Sequence, residues 1–185
     1  MRETKIGRKT KETDIQLRLG LDGSGHAEIE TNEQFLRHML DTLTRYAGFD
    51  LELAATGDND HHLVEDVAIA LGTAFREALG DGPVERIASA MVPMDDALVT
   101  VSVDIIDRPY CDVDCPDVLY THFFRSFAMS SGITLHGIVH RGMDDHHIIE
   151  ATFKALGTAL RHAVVRRESV LSTKDAVSLR RGDQC

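Results

Sequence analysis

The sequence predicts an α+β fold of two similar halves that arose by internal duplication. A six-residue motif occurs twice, as DHHLVE at residues 60–65 and as DHHIIE at residues 145–150. Between residues 58–79 and 143–164, 11 of 22 positions are identical without a gap. The order of predicted elements before each motif also repeats, and 185 residues with 43% hydrophobic content can bury a substantial core. The predicted units are a first half at residues 1–82, a second half at residues 83–170 and a polar tail at residues 171–185.

The first half begins with extended chain. Residues 15–21 and then residues 27–29 alternate apolar and polar side chains, and the turn-forming stretch DGSG lies between them at residues 22–25. This pattern predicts a β-hairpin within residues 2–31, with its turn at residues 22–25.

A helix, a strand and a second helix complete the first half. The first helix has Thr31 or Asn32 as its predicted N-cap, carries apolar residues at every third or fourth position, and ends before Gly48. Residues 49–56 are typical of a strand. The helix with the first motif spans about residues 60–79, and the sequence GDGP at residues 80–83 ends it.

The second half repeats this order. Its predicted elements are extended segments at residues 84–91, 97–106, 108–113 and 133–139, and helices at about residues 118–129 and from the second motif to about residue 165. The repeat also holds before the motif, because Gly48 matches Gly132 and Leu51 matches Leu135 at an offset of 84 positions.

Charge and cysteine content exclude several classes of function. The formal net charge of -10 argues against nucleic-acid binding, which needs a basic surface, whereas acidic groups suit divalent cations. No apolar run is long enough to span a membrane. The three cysteines, Cys111, Cys115 and Cys185, are typical of free thiols in a reducing compartment, which predicts a cytoplasmic protein.

The spacing within each motif predicts metal binding. Positions i and i+4 of a helix lie only about 40° apart, whereas adjacent positions lie about 100° apart. His61 and Glu65 can therefore bind one ion together, as can His146 and Glu150, and the adjacent histidines of the two motifs must point elsewhere. A single such motif is often a surface accident, but its duplication indicates a selected function.

Each half contributes a further histidine from its first helix, because His38 matches His122 at the same offset of 84. The predicted ligands are His38, His61, His62, Glu65, His122, His146, His147 and Glu150. They divide into two sites of four ligands. The first contains His61, Glu65 and His147, and the second contains His62, His146 and Glu150. Each site is completed by one of His38 and His122. Pseudo-symmetry favours His122 in the first site and His38 in the second, but the opposite assignment remains open.

The ligand types restrict the metal. Three imidazoles and one carboxylate per ion suit Mn, Fe, Co, Ni or Zn better than Mg or Ca, which prefer oxygen. Four protein ligands on a six-coordinate metal leave positions for substrate. With zinc, the same four ligands could instead close a structural site. His26, His136, His140 and His162 are interpreted as structural or solvated.

The chain resembles the imidazoleglycerol-phosphate dehydratases over nearly its whole length. The resemblance is carried by both HHxxE motifs and by the segments RKTKET at residues 8–13, FLRHMLD at 35–41, VPMDDA at 92–97, DRPY at 107–110, GITLH at 132–136 and STK at 172–174. It implies two halves that each form a four-stranded mixed sheet backed by two helices, a fold like that of ribosomal protein S5 domain 2. It also implies a shell of twenty-four subunits whose active sites are shared between neighbouring chains.

The resemblance further implies a reaction and its residues. The reaction is the dehydration of imidazole glycerol phosphate to imidazole acetol phosphate in histidine biosynthesis, through an imidazolate held by two Mn(II) ions. Glu12 matches the family's acid/base glutamate and is expected to contact the substrate. Glu65 and Glu150 complete the predicted catalytic set, where they act mainly as ligands. The positions that match phosphate-binding residues of the family are Arg86, Arg108, Lys154, Ser172, Thr173 and Lys174.

Two alternatives remain open from the sequence. The histidines could hold subunits together around metal in a non-catalytic assembly. A pair of metal sites with nearby arginines could instead belong to a metal-dependent phosphohydrolase.

Overall fold

The computed structural model describes residues 2–169 and confirms the duplicated α+β fold. The first half consists of β1 (Glu3–Lys9), β2 (Thr13–Gly20), β3 (Ala27–Thr31), α1 (Gln34–Ala47), β4 (Asp50–Gly57) and α2 (Asp60–Leu79). The second consists of β5 (Ile87–Met94), β6 (Ala97–Ile105), β7 (Tyr110–Val113), α3 (Val118–Ser131), β8 (Ile133–Arg141) and α4 (Asp145–Ala163). The segment 171–185, including Ser172, Thr173 and Lys174, lies outside the described residues.

The two sheets have the same topology. The strand orders are β1-β2-β4-β3 and β5-β6-β8-β7, and in each sheet only the last-named strand runs parallel to its neighbour. The registers of the two hairpins superpose at an offset of 84 residues, so the turn residues Lys11 and Glu12 correspond to Asp95 and Asp96. The duplication inferred from the motifs therefore extends through the strands.

The predicted hairpin at residues 22–25 is wrong. The strand β2 pairs with β1 through the turn at residues 11–12, and β3 pairs in parallel with β4, which lies between β2 and β3. Residues 22–25 instead form a loop across the end of β4, where the Asp50 carboxylate accepts hydrogen bonds from the backbone N–H groups of Ser24 and His26 at 2.8 and 3.0 Å. Alternation of apolar residues identifies a strand but not its partner.

The helix ends follow local chemistry. Gly48 and Gly132 adopt left-handed backbone conformations, with φ of 69° and 74°, and end α1, as predicted, and its counterpart α3. The predicted cap of α1 is wrong, because the carboxylate of Glu33, not Thr31 or Asn32, accepts the N–H groups of Phe35 and Leu36. The longer Glu33 side chain caps the helix at a position where a short polar residue is usual.

Each motif helix packs on the first helix of the other half. The helix α2 contacts α3, and α4 contacts α1. A Cβ added at Gly72 would lie 2.7 Å from the carbonyl oxygen of Phe127, and one added at Gly157 would lie 2.7 Å from that of Leu43. These two glycines belong to the repeated ALGTA sequence, so the repeat records two equivalent close helix crossings.

Both halves contribute to one hydrophobic core. Its buried residues include Leu36 and Phe75 from the first half and Phe123 and Phe153 from the second. The aromatic rings of α3 and α4 contact each other, with Phe123 and Phe153 centroids 5.0 Å apart. The halves are therefore repeats within a single core, and the first turns of α2 and α4 each lie beside a helix from the other half.

Candidate metal centres and active site

The first turns of α2 and α4 position the histidine pairs. The side chain of Asn59 accepts the N–H of His62, and that of Asp144 accepts the N–H groups of His146 and His147. These caps start each helix immediately before its histidines. The i and i+4 members of each motif therefore share one face of the helix, as the spacing predicts.

One cluster forms between α1 and α4. The Nε2 atoms of His38 and His146 lie 3.3 and 3.2 Å from Oε2 of Glu150, and one donor atom from each of the three lies within 4.8 Å of the others. The Glu150 side chain is only 9% exposed. Its other oxygen, Oε1, accepts a hydrogen bond from Nζ of Lys154 at 2.8 Å. We call these three residues the α1–α4 cluster.

The charge of Glu150 is set by opposing effects. Burial raises the pKa of its carboxyl group, but hydrogen bonds from Lys154 and His38 outweigh burial, so the net shift is downward. The neighbours thus keep Glu150 ionised, which is the form that binds a cation.

A second cluster forms between α2 and α3. The Nε2 atom of His61 lies 3.8 Å from Oε2 of Glu65, and the rings of His61 and His122 have centroids 5.2 Å apart. We call these residues the α2–α3 cluster. Its carboxylate is more open, because the Glu65 side chain is 42% exposed. The residue one turn beyond Glu65 is Ile69, where the other half has Lys154.

The adjacent histidines, His62 and His147, point away from both clusters and contact carboxylates. The Nδ1 atom of His62 lies 2.8 Å from Asp58, and that of His147 lies 2.6 Å from Asp96. These hydrogen bonds raise the pKa of both imidazoles. The described part of one chain thus places three of four predicted ligands in each cluster and leaves the fourth outside it. The third histidines follow the pairing that pseudo-symmetry favours, His122 beside His61 and His38 beside His146.

Glu12 lies at the tip of the β1–β2 hairpin, beside His62. Its Oε2 is 3.6 Å from Nδ1 of His62, and its side chain is 55% exposed. In the other half, the corresponding Asp96 is anchored by His147 and by the backbone N–H groups of Met143 and Asp144. These bonds, with that from His147 the strongest, lower the pKa of Asp96 to about 2. The two equivalent turns therefore differ, because one carries an open carboxylate and the other a fixed one.

Of the predicted phosphate-binding residues that the structure describes, Lys154 lies at the α1–α4 cluster of its own chain, whereas Arg86 and Arg108 do not lie at either cluster. The Arg86 guanidinium binds Asp104 at 2.5 and 3.0 Å, and Arg86 lines a cleft of about 660 Å³ beside Arg76, at the C-terminal end of α2. Arg76 follows His61 by 15 residues, or about 22 Å along the helix. Arg108 is exposed in the loop before β7. Lys154 contacts Glu150 and lies with its Nζ 5.7 Å from the centroid of the Tyr46 ring.

Sequence reasoning missed the carboxylates behind His62 and His147. Asp58 lies four residues before His62, a spacing that could have revealed it. Asp96 lies far from His147 in sequence, and its offset of 84 from Glu12 was the available signal.

The donor set of each cluster fits a divalent transition metal. Two imidazole nitrogens and one carboxylate oxygen converge in the α1–α4 cluster, and His61, His122 and Glu65 supply the same types in the α2–α3 cluster.

Among the described residues, no helix is both long and apolar enough to cross a bilayer.

The fold and clusters define a duplicated α+β protein with two equivalent candidate metal centres where its halves meet. A family model described as imidazoleglycerol-phosphate dehydratase matches residues 31–160. Curated relatives of that name from Desulfitobacterium hafniense and Geobacillus kaustophilus are 44% and 46% identical, each over 94% of this chain and 97% of the relative. The chain belongs to the imidazoleglycerol-phosphate dehydratase family, a family of hydro-lyases.

Solved structures agree with this assignment. A crystal structure of the Pyrococcus furiosus enzyme superposes with a TM-score of 0.82 at 41% identity, covering 93% of this chain and all of the other. The Staphylococcus aureus enzyme gives a TM-score of 0.79 at 32% identity, covering 89% and 99%.

Proposed function

We propose that this chain dehydrates imidazole glycerol phosphate to imidazole acetol phosphate in histidine biosynthesis. The observation that carries the proposal is the pair of equivalent histidine–carboxylate clusters beside an open glutamate, in a chain of this family. The convergent donors would hold one divalent metal ion per cluster, two per active site. Mn(II) is the proposed metal, since mixed nitrogen and oxygen ligands suit it and a six-coordinate ion keeps positions for substrate.

The fourth ligand of each ion would come from a neighbouring copy of the chain. His62 and His147 lie outside the clusters of their own chain and are held by Asp58 and Asp96 through Nδ1. A carboxylate on one ring nitrogen orients an imidazole and makes the other nitrogen, Nε2, the ligand atom. In His147 this nitrogen lies 3.3 Å from the exposed carboxylate of Asp95. We assign His147 to complete the α2–α3 cluster and His62 to complete the α1–α4 cluster, each from another copy.

Bound metal would supply positive charge to the imidazole ring of the substrate and so stabilise negative charge that develops there. Glu12 would accept the proton from the substrate carbon, and a protonated carboxyl group would assist departure of the hydroxyl as water. Glu65 and Glu150 would remain ligands, since each shares its helix face with a histidine ligand. Asp96 is already bonded to His147 and two N–H groups, which favours Glu12 as the proton carrier.

Arg86, Arg108, Lys154 and the residues Ser172, Thr173 and Lys174 are the proposed phosphate-binding groups. The guanidinium of Arg86 suits a forked contact with phosphate. The backbone N–H of Arg86 donates a hydrogen bond to the carbonyl of Ala163, at the C-terminal end of α4. The clusters lie at the opposite, N-terminal ends of α2 and α4. A small substrate cannot span about 22 Å. We infer that a complete site combines residues of several copies in a homo-oligomer, for which the family resemblance implies twenty-four subunits. The free thiols of Cys111 and Cys115 fit the cytoplasm.

The test is turnover of imidazole glycerol phosphate by the full chain, with Mn(II) and after EDTA treatment. Dehydration that requires added metal supports the proposal, and full turnover in metal-free protein refutes metal dependence. Release of inorganic phosphate would indicate a phosphohydrolase instead. Sedimentation with and without Mn(II) tests the assembly.

Glu12→Gln tests the proton carrier. It is expected to lower kcat by about 10²- to 10⁴-fold while Mn(II) content and oligomer stay unchanged. Glu28→Gln, an exposed glutamate on β3, is the matched control and is expected to keep full activity. A non-catalytic metal-assembled scaffold would show no dehydration in either protein.

A further inference from the structure

A chain of hydrogen bonds ties the hairpin turn of Glu12 to the metal-ligand helix α2. The hydroxyl of Thr13 lies 2.5 Å from Oδ2 of Asp66, and the hydroxyls of Thr13 and Thr10 are 3.0 Å apart. A carboxylate only accepts, so Thr13 donates to Asp66 and Thr10 donates to Thr13. The Thr10 oxygen then accepts the backbone N–H of Glu12 at 3.0 Å and that of Thr13 at 2.9 Å.

Both ends of this hydrogen-bond network are anchored. The Asp66 carboxylate also accepts a hydrogen bond from Nη2 of Arg8 at 2.6 Å, and its side chain is 13% exposed. The carbonyl oxygen of Glu12 accepts the N–H of Asp58 at 3.0 Å. The main chain of Glu12 is thus fixed on its N–H and on its carbonyl, while its carboxylate remains open beside His62. The carboxylate of Glu12 can therefore gain or lose a proton while the backbone of the turn stays in place.

The network exists only in the half that carries Glu12. The strand registers make residues 8, 10 and 13 equivalent to residues 92, 94 and 97, and the motif offset makes residue 66 equivalent to residue 151. The residues at those equivalent positions are Val92, Met94, Ala97 and Ala151, which cannot form such a chain of side-chain hydrogen bonds. Two hairpins of the same fold therefore differ in this network, so the fold alone does not require it.

We propose that Asp66 is a positioning residue, which acts through Thr13 and Thr10 to hold Glu12 in register with the metal ligands of α2. The inference rests on the proposed function of Glu12. Asp66 directly follows Glu65, so the same helix fixes a metal ligand and the turn of the proton carrier. Misplacement of a catalytic group by about 1 Å can reduce a rate about 100-fold.

The test interrupts the hydrogen-bond network without changing Asp66 or any predicted metal ligand. Thr13→Val keeps a similar volume and removes the hydroxyl, and Thr13→Ser restores it. The matched control is Thr4→Val, because Thr4 on β1 donates to Glu77 on α2 at 3.0 Å and so links the same β1–β2 hairpin to the same helix, farther from the turn. The full chain loaded with Mn(II) is used throughout. Thr10→Val, at an exposed position, replaces Thr13→Val if that variant does not fold.

Thr13→Val is expected to lower kcat by about 10- to 100-fold, with KM and bound Mn(II) within about twofold of wild type. Thr13→Ser is expected to recover most of kcat, and Thr4→Val to lose none. Hydrogen–deuterium exchange of residues 10–13 is expected to speed up in Thr13→Val and not in Thr4→Val. This exchange does not depend on turnover.

Measuring Glu12→Gln in parallel distinguishes failure of the positioning role of Asp66 from failure of the proposed role of Glu12. If Glu12→Gln is inactive but Thr13→Val keeps full kcat, the positioning role is overturned and the proposed function stands. If Glu12→Gln turns over normally, the role of Glu12 fails and the positioning role fails with it. Equal loss of kcat in Thr4→Val and Thr13→Val would also overturn the proposal, because general loosening of the β1–β2 hairpin on α2 would then explain both.

Discussion

Gly157→Ala probes the close crossing of α4 and α1, on which the α1–α4 cluster depends. The added Cβ would lie 2.7 Å from the carbonyl oxygen of Leu43 and 3.0 Å from the backbone nitrogen of Ala47. Ordinary contact begins at 3.4 Å, so α1 must retreat by 3.4 − 2.7 = 0.7 Å. Both atoms belong to the backbone of α1, so no side-chain rotation can relieve the contact.

The magnitude follows from two opposing contributions. Overpacking of this kind costs about 1–3 kcal/mol, whereas replacing a glycine within a helix by alanine stabilises it by about 1 kcal/mol. The net loss is therefore about 0–2 kcal/mol, which corresponds to a fall in Tm of up to about 8 °C for a chain of this length. Urea unfolding and calorimetry in EDTA would measure it.

The same displacement reaches the cluster. His38 lies on α1 and Glu150 on α4, on the two sides of the crossing, so weaker binding of one of the two metal ions is expected in a calorimetric titration with Mn(II). Gly72→Ala is the matched variant, because it separates α2 from α3 and should weaken the other ion. A Gly157→Ala protein that unfolds at the same or higher urea than wild type, with unchanged Mn(II) binding, would refute this reasoning.

Three further predictions concern titratable groups in EDTA-treated protein. Asp96→Asn should lower the pKa of His147 towards its usual value, which histidine NMR can follow. Because the pKa of His147 is raised and that of Asp96 is lowered to about 2, the pair stabilises the fold between these two pKa values, and the contribution disappears as pH rises through that of His147. Lys154→Met should lower Tm at neutral pH, and because the pKa of Glu150 is lowered, the difference from wild type should vanish as pH falls through that pKa; an equal difference at acid pH would contradict it. Burial raises the pKa of Cys111 to about 11, so mass spectrometry should show it alkylated more slowly by iodoacetamide at pH 8 than in the unfolded chain.

The two errors in the sequence reading have different causes. The hairpin at residues 22–25 is absent, because β4 inserts between β2 and β3, and strand alternation contains no information on which strands pair. The cap of α1 is Glu33, whose long side chain reaches N–H groups that a short residue usually satisfies. The helix stops at Gly48 and Gly132 were predictable, since a left-handed residue is a local requirement.

The sequence by itself determined the duplication, the element order and the facing of His61 with Glu65 and of His146 with Glu150. These depend on helix periodicity and on a repeat of identical residues, which are local properties. Only the tertiary structure decided that α2 crosses α3 and α4 crosses α1, and hence that His122 lies beside His61 and His38 beside Glu150. It also decided that Asp66 anchors the turn of Glu12. Such contacts join residues distant in the chain, and packing of whole elements around a shared core, not local spacing, brings them together.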